Sequence, residues 1–183
     1  ALPIWSDKYG FDAIISTDGD GDRPLISNES GTWLRGDIVG LLACRYLGVR
    51  QIAVPVSCNT AIELSDAFDS VVRTRIGSPF VIEGMQQLNP RDGAIAGFEA
   101  NGGLLLGSEI ESDGRILAPL PTRDAALPAI AVLAAAQQRG VKISKLLHDL
   151  PQRYTASDRI QDFPTALSAQ LLATWVNDLD QFS

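Results

Sequence analysis

Two hydrophobic rhythms alternate along this chain. From about residue 33 to residue 150, short runs rich in β-branched and apolar residues are separated by longer stretches whose apolar positions recur every three or four residues. The first rhythm is that of strands and the second that of helices. Before this region, residues 12–17 (DAIIST) predict a buried strand, and residues 25–27 a second one beyond an acidic loop. Residues 28–31 (NESG) carry turn chemistry. Asp37 is placed to cap a helix running to residue 46, with Ile38, Leu41, Leu42 and Arg45 at helical spacing and Gly48 closing it. Residues 51–56 (QIAVPV) predict a strand whose Pro55 marks either an edge position or a strand end. Asn59 or Thr60 opens a helix to residue 68, and residues 70–75 form the next strand. Pro79 suits the first turn of a helix reaching residue 88. Strands follow at 94–99 and 104–106, then an Asp113-Gly114 turn between strand-like pairs. Arg123 or Asp124 starts a long helix to residue 138, closed by Gly140, and a shorter helix covers 144–150.

Strands that alternate with helices in this way build βαβ units. The expected fold class is α/β, with a mixed, mostly parallel sheet and helices on both faces. Pro151 and a change of composition mark a boundary. The stretch beyond it holds one further predicted helix, 166–179, and too little else to close a core.

Composition narrows the function classes. The 183 residues are 45% hydrophobic and 20% charged, which argues against extended disorder. The net charge of −7 is unfavourable for a phosphate backbone, so no nucleic-acid partner is expected. Small anions stay possible where arginines or a metal override the net charge locally. Cys44 lies in an apolar helical run and Cys58 at a strand end, which reads as two buried, reduced thiols in a cytoplasmic protein. His148 is the single histidine, too few for a zinc site or a Ser/His/Asp set. No signal peptide is visible, and the apolar helical stretch at 125–136 is too short to span a bilayer, so no membrane partner is expected. The chain enters structured-looking sequence directly at Ala1, as a fragment would.

The most informative segment is Asp18-Gly-Asp20-Gly-Asp22-Arg23. Three carboxylates at alternate positions converge on one cation if the chain folds tightly between them, and Gly19 and Gly21 tolerate the positive φ this needs. An all-oxygen donor set suits a hard divalent ion such as Mg2+, with water or phosphate completing the shell. Two plainer readings compete. An EF-hand loop shares the spacing and even places Glu29 at its twelfth position, but its sixth position needs glycine and holds Arg23, followed by Pro24. A metal-free turn is the other, with Arg23 offsetting the mutual repulsion of the acids.

TDGDGDR resembles the metal loop of the α-D-phosphohexomutases, and further segments follow in that family's order. Arg73-Thr-Arg75-Ile-Gly77-Ser78-Pro-Phe80, with Glu83 and Met85, is similar to a third-domain segment in which a basic residue and a glycine precede a helix. Gly97-Phe-Glu99-Ala-Asn101-Gly102-Gly103 resembles the sugar-recognition loop, and Thr122-Arg123-Asp124-Ala125 resembles the helix start that follows it. The sugar loop also makes chemical sense unaided, because a carboxylate accepts from paired hydroxyls while an amide both donates and accepts. Read alone, a polar turn with an exposed glutamate would explain the same residues.

The resemblance implies a fold of the phosphoglucomutase third-domain type flanked by partial domains: 1–32 as the end of domain 2, 33–150 as domain 3, and 151–183 as a linker and the start of domain 4. It implies Mg2+ held by Asp18, Asp20 and Asp22, phosphate supported by Arg23, and a hexose phosphate bound by Glu99, Asn101 and Arg75. The implied reaction moves phosphate between C6 and C1 through a bisphosphate, using a phosphoserine outside this chain. The partners implied are therefore the hexose phosphate and the missing domains of a parent chain, and the fragment alone is expected to be inactive. The sugar-loop form resembles that of bacterial phosphomannomutases, which favours mannose phosphate over glucose or glucosamine phosphate. A non-catalytic module binding metal or sugar phosphate is the alternative. Three departures stand out: Ser78 and Gly103 occupy positions that are histidine in some branches, and Ser57 one that is lysine in another. They leave the general base open, since an arginine stays protonated.

Overall fold

A computed structural model describes residues 2–158 and 160–177. In chain order the elements are α1 (Leu2–Tyr9), β1 (Ile15–Thr17), β2 (Pro24–Ile26), α2 (Gly36–Tyr46), β3 (Gln51–Pro55), α3 (Ala61–Leu64), β4 (Ser70–Thr74) and α4 (Ser78–Gln86). They continue with β5 (Ile95–Phe98), β6 (Leu104–Leu106), β7 (Ile110–Ser112), β8 (Arg115–Leu117), β9 (Leu120–Asp124), α5 (Ala126–Arg139), α6 (Ile143–His148) and α7 (Thr165–Asn177). Two compact units divide at Arg153, and α7 belongs to the second.

The central sheet has the order β4-β3-β5-β6-β9. Side chains alternate across it with the two-residue period of a pleated strand. Ile52, Val54, Ala96, Phe98, Leu104 and Leu106 face the larger apolar cluster, together with α2, α3 and α5. Ala53, Ile95 and Leu105, at the intervening positions, face a smaller cluster with Val81 and Met85 of α4. Helices therefore cover both faces, as expected. Phe98 is fully buried and its ring lies flat against Gly40, where a Cβ would fall 2.5 Å from the ring. Burying such a side chain is worth about 2–3 kcal/mol.

The sheet is mixed, but its parallel share is half. β3 pairs in parallel with β4 and β5, whereas β5–β6 and β6–β9 are antiparallel. The reason lies at residues 99–103, a tight reversal that sends the chain straight back as β6 with no crossover helix. β9 falls where the sequence suggests a helix start. Arg123 is still strand, and Asp124 then receives Ala126 N (2.7 Å) and Leu127 N (3.2 Å) as α5 begins.

Other differences have local causes. Asp37 does not cap α2; Arg35 takes that position and Asp37 is the second residue of the helix, in its first turn and buried. Pro55 ends β3, which is a central strand. α3 stops at Leu64 because Ser65 Oγ bonds back to Ile62 O (2.7 Å) and Asp66 turns the chain at φ +51°. Of residues 12–17 only three form strand, and they are exposed, since β2 is their one strand neighbour among the described residues. Asp113 and Gly114 both have positive φ, the geometry of a tight two-residue hairpin between β7 and β8. α1 has no counterpart in the hydrophobic pattern; of its residues only Ser6 is buried. The last two residues expected in the final helix, 178 and 179, lie outside the described residues.

Cys44 and Cys58 are free and buried. Burial pushes the Cys44 thiol well above its ordinary value. Cys58 is pushed up to about 12, first by burial and then by the Asp37 charge. His148 ends α6.

Candidate active site

β4, β3 and β5 run parallel, so their carboxyl ends share one edge of the sheet. The chain leaves β3 toward the face of α3 and leaves β4 toward the face of α4. Open α/β sheets bind ligands in the crevice such a divergence creates. Arg73 fixes the loop after β3 by donating to Pro55 O and Cys58 O (both 3.0 Å) while pairing with Glu63.

Glu99 directly follows β5 at this edge and is 7% exposed. The turn after it is held by Gly102 N to Glu99 O (2.9 Å), and Asn101 Oδ1 accepts from Gly103 N (3.0 Å). Gly102 has φ +89° and lies against Gly36 and Pro24. A Cβ on Gly36 would fall 2.3 Å from the backbone of Asn101 and Gly102, so the turn rests directly on the start of α2. Glu99 Oε2 accepts from Ser78 Oγ at 2.8 Å. Among the described residues no donor reaches Oε1.

The acidic loop joins β1 to β2. It closes through Gly21 N to Asp18 O (3.2 Å) and Arg23 N to Asp18 Oδ1 (3.2 Å). Asp18, Asp20 and Asp22 each offer an oxygen, and these oxygens lie within 4.8 Å of one another. Arg23 Nε is 2.6 Å from Asp18 Oδ2 and 3.4 Å from Asp22 Oδ1. Desolvation acts to raise the Asp18 carboxyl. The hydrogen bond from the Arg23 amide, with the Arg23 charge, outweighs it and holds the group below its ordinary value.

This donor set fits a hard divalent cation. Ligand oxygens around Mg2+ stand about 3–4 Å apart. The observed spread is slightly wider, and a cation would take over the neutralising role that Arg23 now plays.

Arg123 ties the two loops together. One of its terminal nitrogens pairs with Asp22 Oδ2, and the other is 3.7 Å from Glu99 Oε2. Its side chain crosses Gly103, where a Cβ would lie 2.9 Å from Arg123 Cδ. A glycine at 103 therefore makes room for the arginine. The sequence marks Arg123 only as a helix start; its role depends on β9 pairing with β6, which the strand's weak apolar pattern conceals. Ser78 likewise gives no sign in the sequence that it holds Glu99.

The structure thus gathers Asp18, Asp20, Asp22, Arg23 and Glu99 into one neighbourhood, with Asn101 in the adjoining turn. Arg75 stays apart. It lies beyond β4 with its guanidinium 5.5 Å from the Phe80 ring centre. Among the described residues, no helix is long and apolar enough to cross a membrane.

Residues 35–154 match the family model for phosphoglucomutase/phosphomannomutase, alpha/beta/alpha domain III. The chain is 50% identical over 178 residues to a phosphomannomutase of Salmonella muenchen, covering 97% of this chain and 37% of that protein. It is 43% identical over 175 residues to a phosphomannomutase of Sinorhizobium fredii, covering 94% and 36%. A crystal structure of a phosphoglucomutase/phosphomannomutase family protein from Burkholderia thailandensis superposes with a TM-score of 0.62 at 19% identity, over 84% of this chain and 32% of that one. The chain thus spans little more than a third of the length of these curated relatives.

Proposed function

This chain belongs to the phosphoglucomutase/phosphomannomutase family, and from that premise we propose that it is the metal-loop and sugar-loop portion of a phosphomannomutase. The observation that carries the proposal is Arg123, whose guanidinium joins Asp22 of the acidic loop to Glu99 of the sugar loop. Mannose phosphate is favoured because the two relatives at 50% and 43% identity both carry the name phosphomannomutase. In this reading residues 1–32 end a second domain, 33–150 form the third, and 151–183 lead into a fourth. The phosphoserine and a further phosphate-binding loop belong to other parts of a longer parent chain. Two buried, unpaired thiols support a reducing, cytoplasmic setting.

The reaction is transfer of phosphate between O6 and O1 of the hexose through a bisphosphate. Asp18, Asp20 and Asp22 would hold Mg2+, which supplies positive charge against the phosphate being transferred. Arg23 stands beside that phosphate as a fixed cation. Glu99 accepts hydrogen bonds from sugar hydroxyls through Oε1, while Ser78 fixes the direction of Oε2. Asn101 offers its amide nitrogen to the ring, since its oxygen is engaged with Gly103. Arg75, which now lies over the Phe80 ring, would add a further cation for the ligand. Arg123 keeps the two loops in register, so the sugar and the transferred phosphate meet at a set separation.

The test is Glu99→Ala in the full-length protein. Sugar-phosphate KM should rise at least tenfold, and unchanged kinetics would remove Glu99 from the site. The isolated 183-residue chain should show no mutase turnover.

A further inference from the structure

Asp37 is the most deeply buried carboxylate among the described residues, and nothing in the proposed reaction uses it. Its side chain has no exposure. Arg35 Nε and a terminal nitrogen meet its two oxygens at 3.3 and 3.4 Å, and the amides of Ile38 (3.0 Å) and Asn59 (2.9 Å) supply the rest. A buried charge persists only when paired and hydrogen-bonded in this way.

The pairing fixes where Arg35 points. Asn59 belongs to the loop after β3, and Gly36, next to Arg35, carries the turn after β5 on its Cα. Arg35 therefore sits between the two loops that bound the crevice at the carboxyl edge of the sheet. A guanidinium carries five N–H groups. Asp37 engages two of those of Arg35, and the Arg35 side chain is 37% exposed, which leaves donors of its guanidinium for a ligand.

We propose that Arg35 is a ligand-binding residue of this site, contacting a phosphate group of the hexose phosphate or bisphosphate, and that Asp37 is the positioning residue that aims it. The inference rests on the mutase reading above. A planar, pre-aimed guanidinium suits a phosphate because it offers parallel donors with little rotamer freedom left to lose. Asp37 supplies the aim from a place no ligand can reach.

The experiment is steady-state kinetics on the full-length protein with mannose phosphate, and with inorganic phosphate as a competitive inhibitor. Arg35→Gln should raise both the substrate KM and the phosphate inhibition constant about tenfold or more, with kcat changed less than about threefold; its melting temperature should fall as well, because buried Asp37 loses its charged partner, so the two constants are the readout. Arg35→Lys, which keeps the charge and loses the fork, should fall between the two. Asp37→Asn should raise the same two constants and also lower the melting temperature. Wild-type turnover with both constants unmoved in Arg35→Gln and Arg35→Lys would overturn the assignment of Arg35 alone. Absence of wild-type turnover would overturn the mutase reading and this assignment with it.

Discussion

Glu29 accepts two hydrogen bonds from Ser144, its partner 115 residues further along the chain. The Ser144 amide reaches Oε2 at 3.2 Å and the hydroxyl bonds Oε1. This links the turn after β2 to the first turn of α6. Desolvation acts to raise the Glu29 carboxyl, but the Ser144 hydroxyl, local amides and the Lys142 charge overcome it and hold the group below its ordinary value of 4.5. A carboxyl depressed in the folded state stabilises it above the unfolded value, and that contribution disappears as pH falls through the folded value. Ser144→Ala should therefore cost about 1–2 kcal/mol at neutral pH. Thermal unfolding followed against pH should show the gap between variant and wild type closing below about pH 4. A gap that does not change with pH would mean the pair contributes no charge-dependent stability.

Ser78→Ala removes the donor that fixes Glu99 Oε2. Glu99 should then pair more closely with Arg123 and leave its ligand-binding direction. In the full-length protein KM for the sugar phosphate should rise roughly tenfold, the cost of one hydrogen bond to a charged group. Ser78→Thr should restore most of the loss. Kinetics identical to wild type in Ser78→Ala would show that Glu99 is held by other means.

Gly103→His tests the room left for Arg123. A Cβ at 103 meets the arginine's Cδ at 2.9 Å, with Cγ at 3.0 Å, so the arginine must move aside. The link between Asp22 and Glu99 should break. KM should rise while the melting temperature falls only slightly, because a long side chain yields more easily than backbone. A crystal structure of the variant with Arg123 still on both carboxylates would refute this.

Divalent binding is measurable on the 183-residue chain itself. Calorimetric titration with Mg2+ should detect one site, lost in Asp20→Asn. Asp20 is the informative position because it forms no ion pair among the described residues, whereas Asp18 and Asp22 are already neutralised by arginines. Equal Mg2+ affinity in wild type and Asp20→Asn would take Asp20 out of the ligand set.

Much of the fold was legible because apolar periodicity reports burial. Ile52, Val54 and Ala96 against Ala53 and Ile95 alternate in sequence as they do across the sheet. The acidic loop was legible for a different reason: its chemistry is local, and spacing alone brings its carboxylates together. What stayed hidden depended on tertiary pairing. The half-exposed strand β9 lacks an apolar stripe, so its register against β6, and with it Arg123 over Gly103, has no sequence signature. Asp37 looked like a helix cap because caps and buried anchors use the same residue type. Only the fold reveals that its partners include the Asn59 amide.

The contact between Gly36 and the Asn101–Gly102 backbone has a consequence for how this surface selects ligands. With α2 directly beneath it, the reversal after β5 has nowhere to retreat. It behaves as a fixed wall whose conformational entropy was lost when the protein folded, not when ligand arrives. New preferences would have to come from exchanging the side chains on that wall, or from what other parts of a parent enzyme bring up against it.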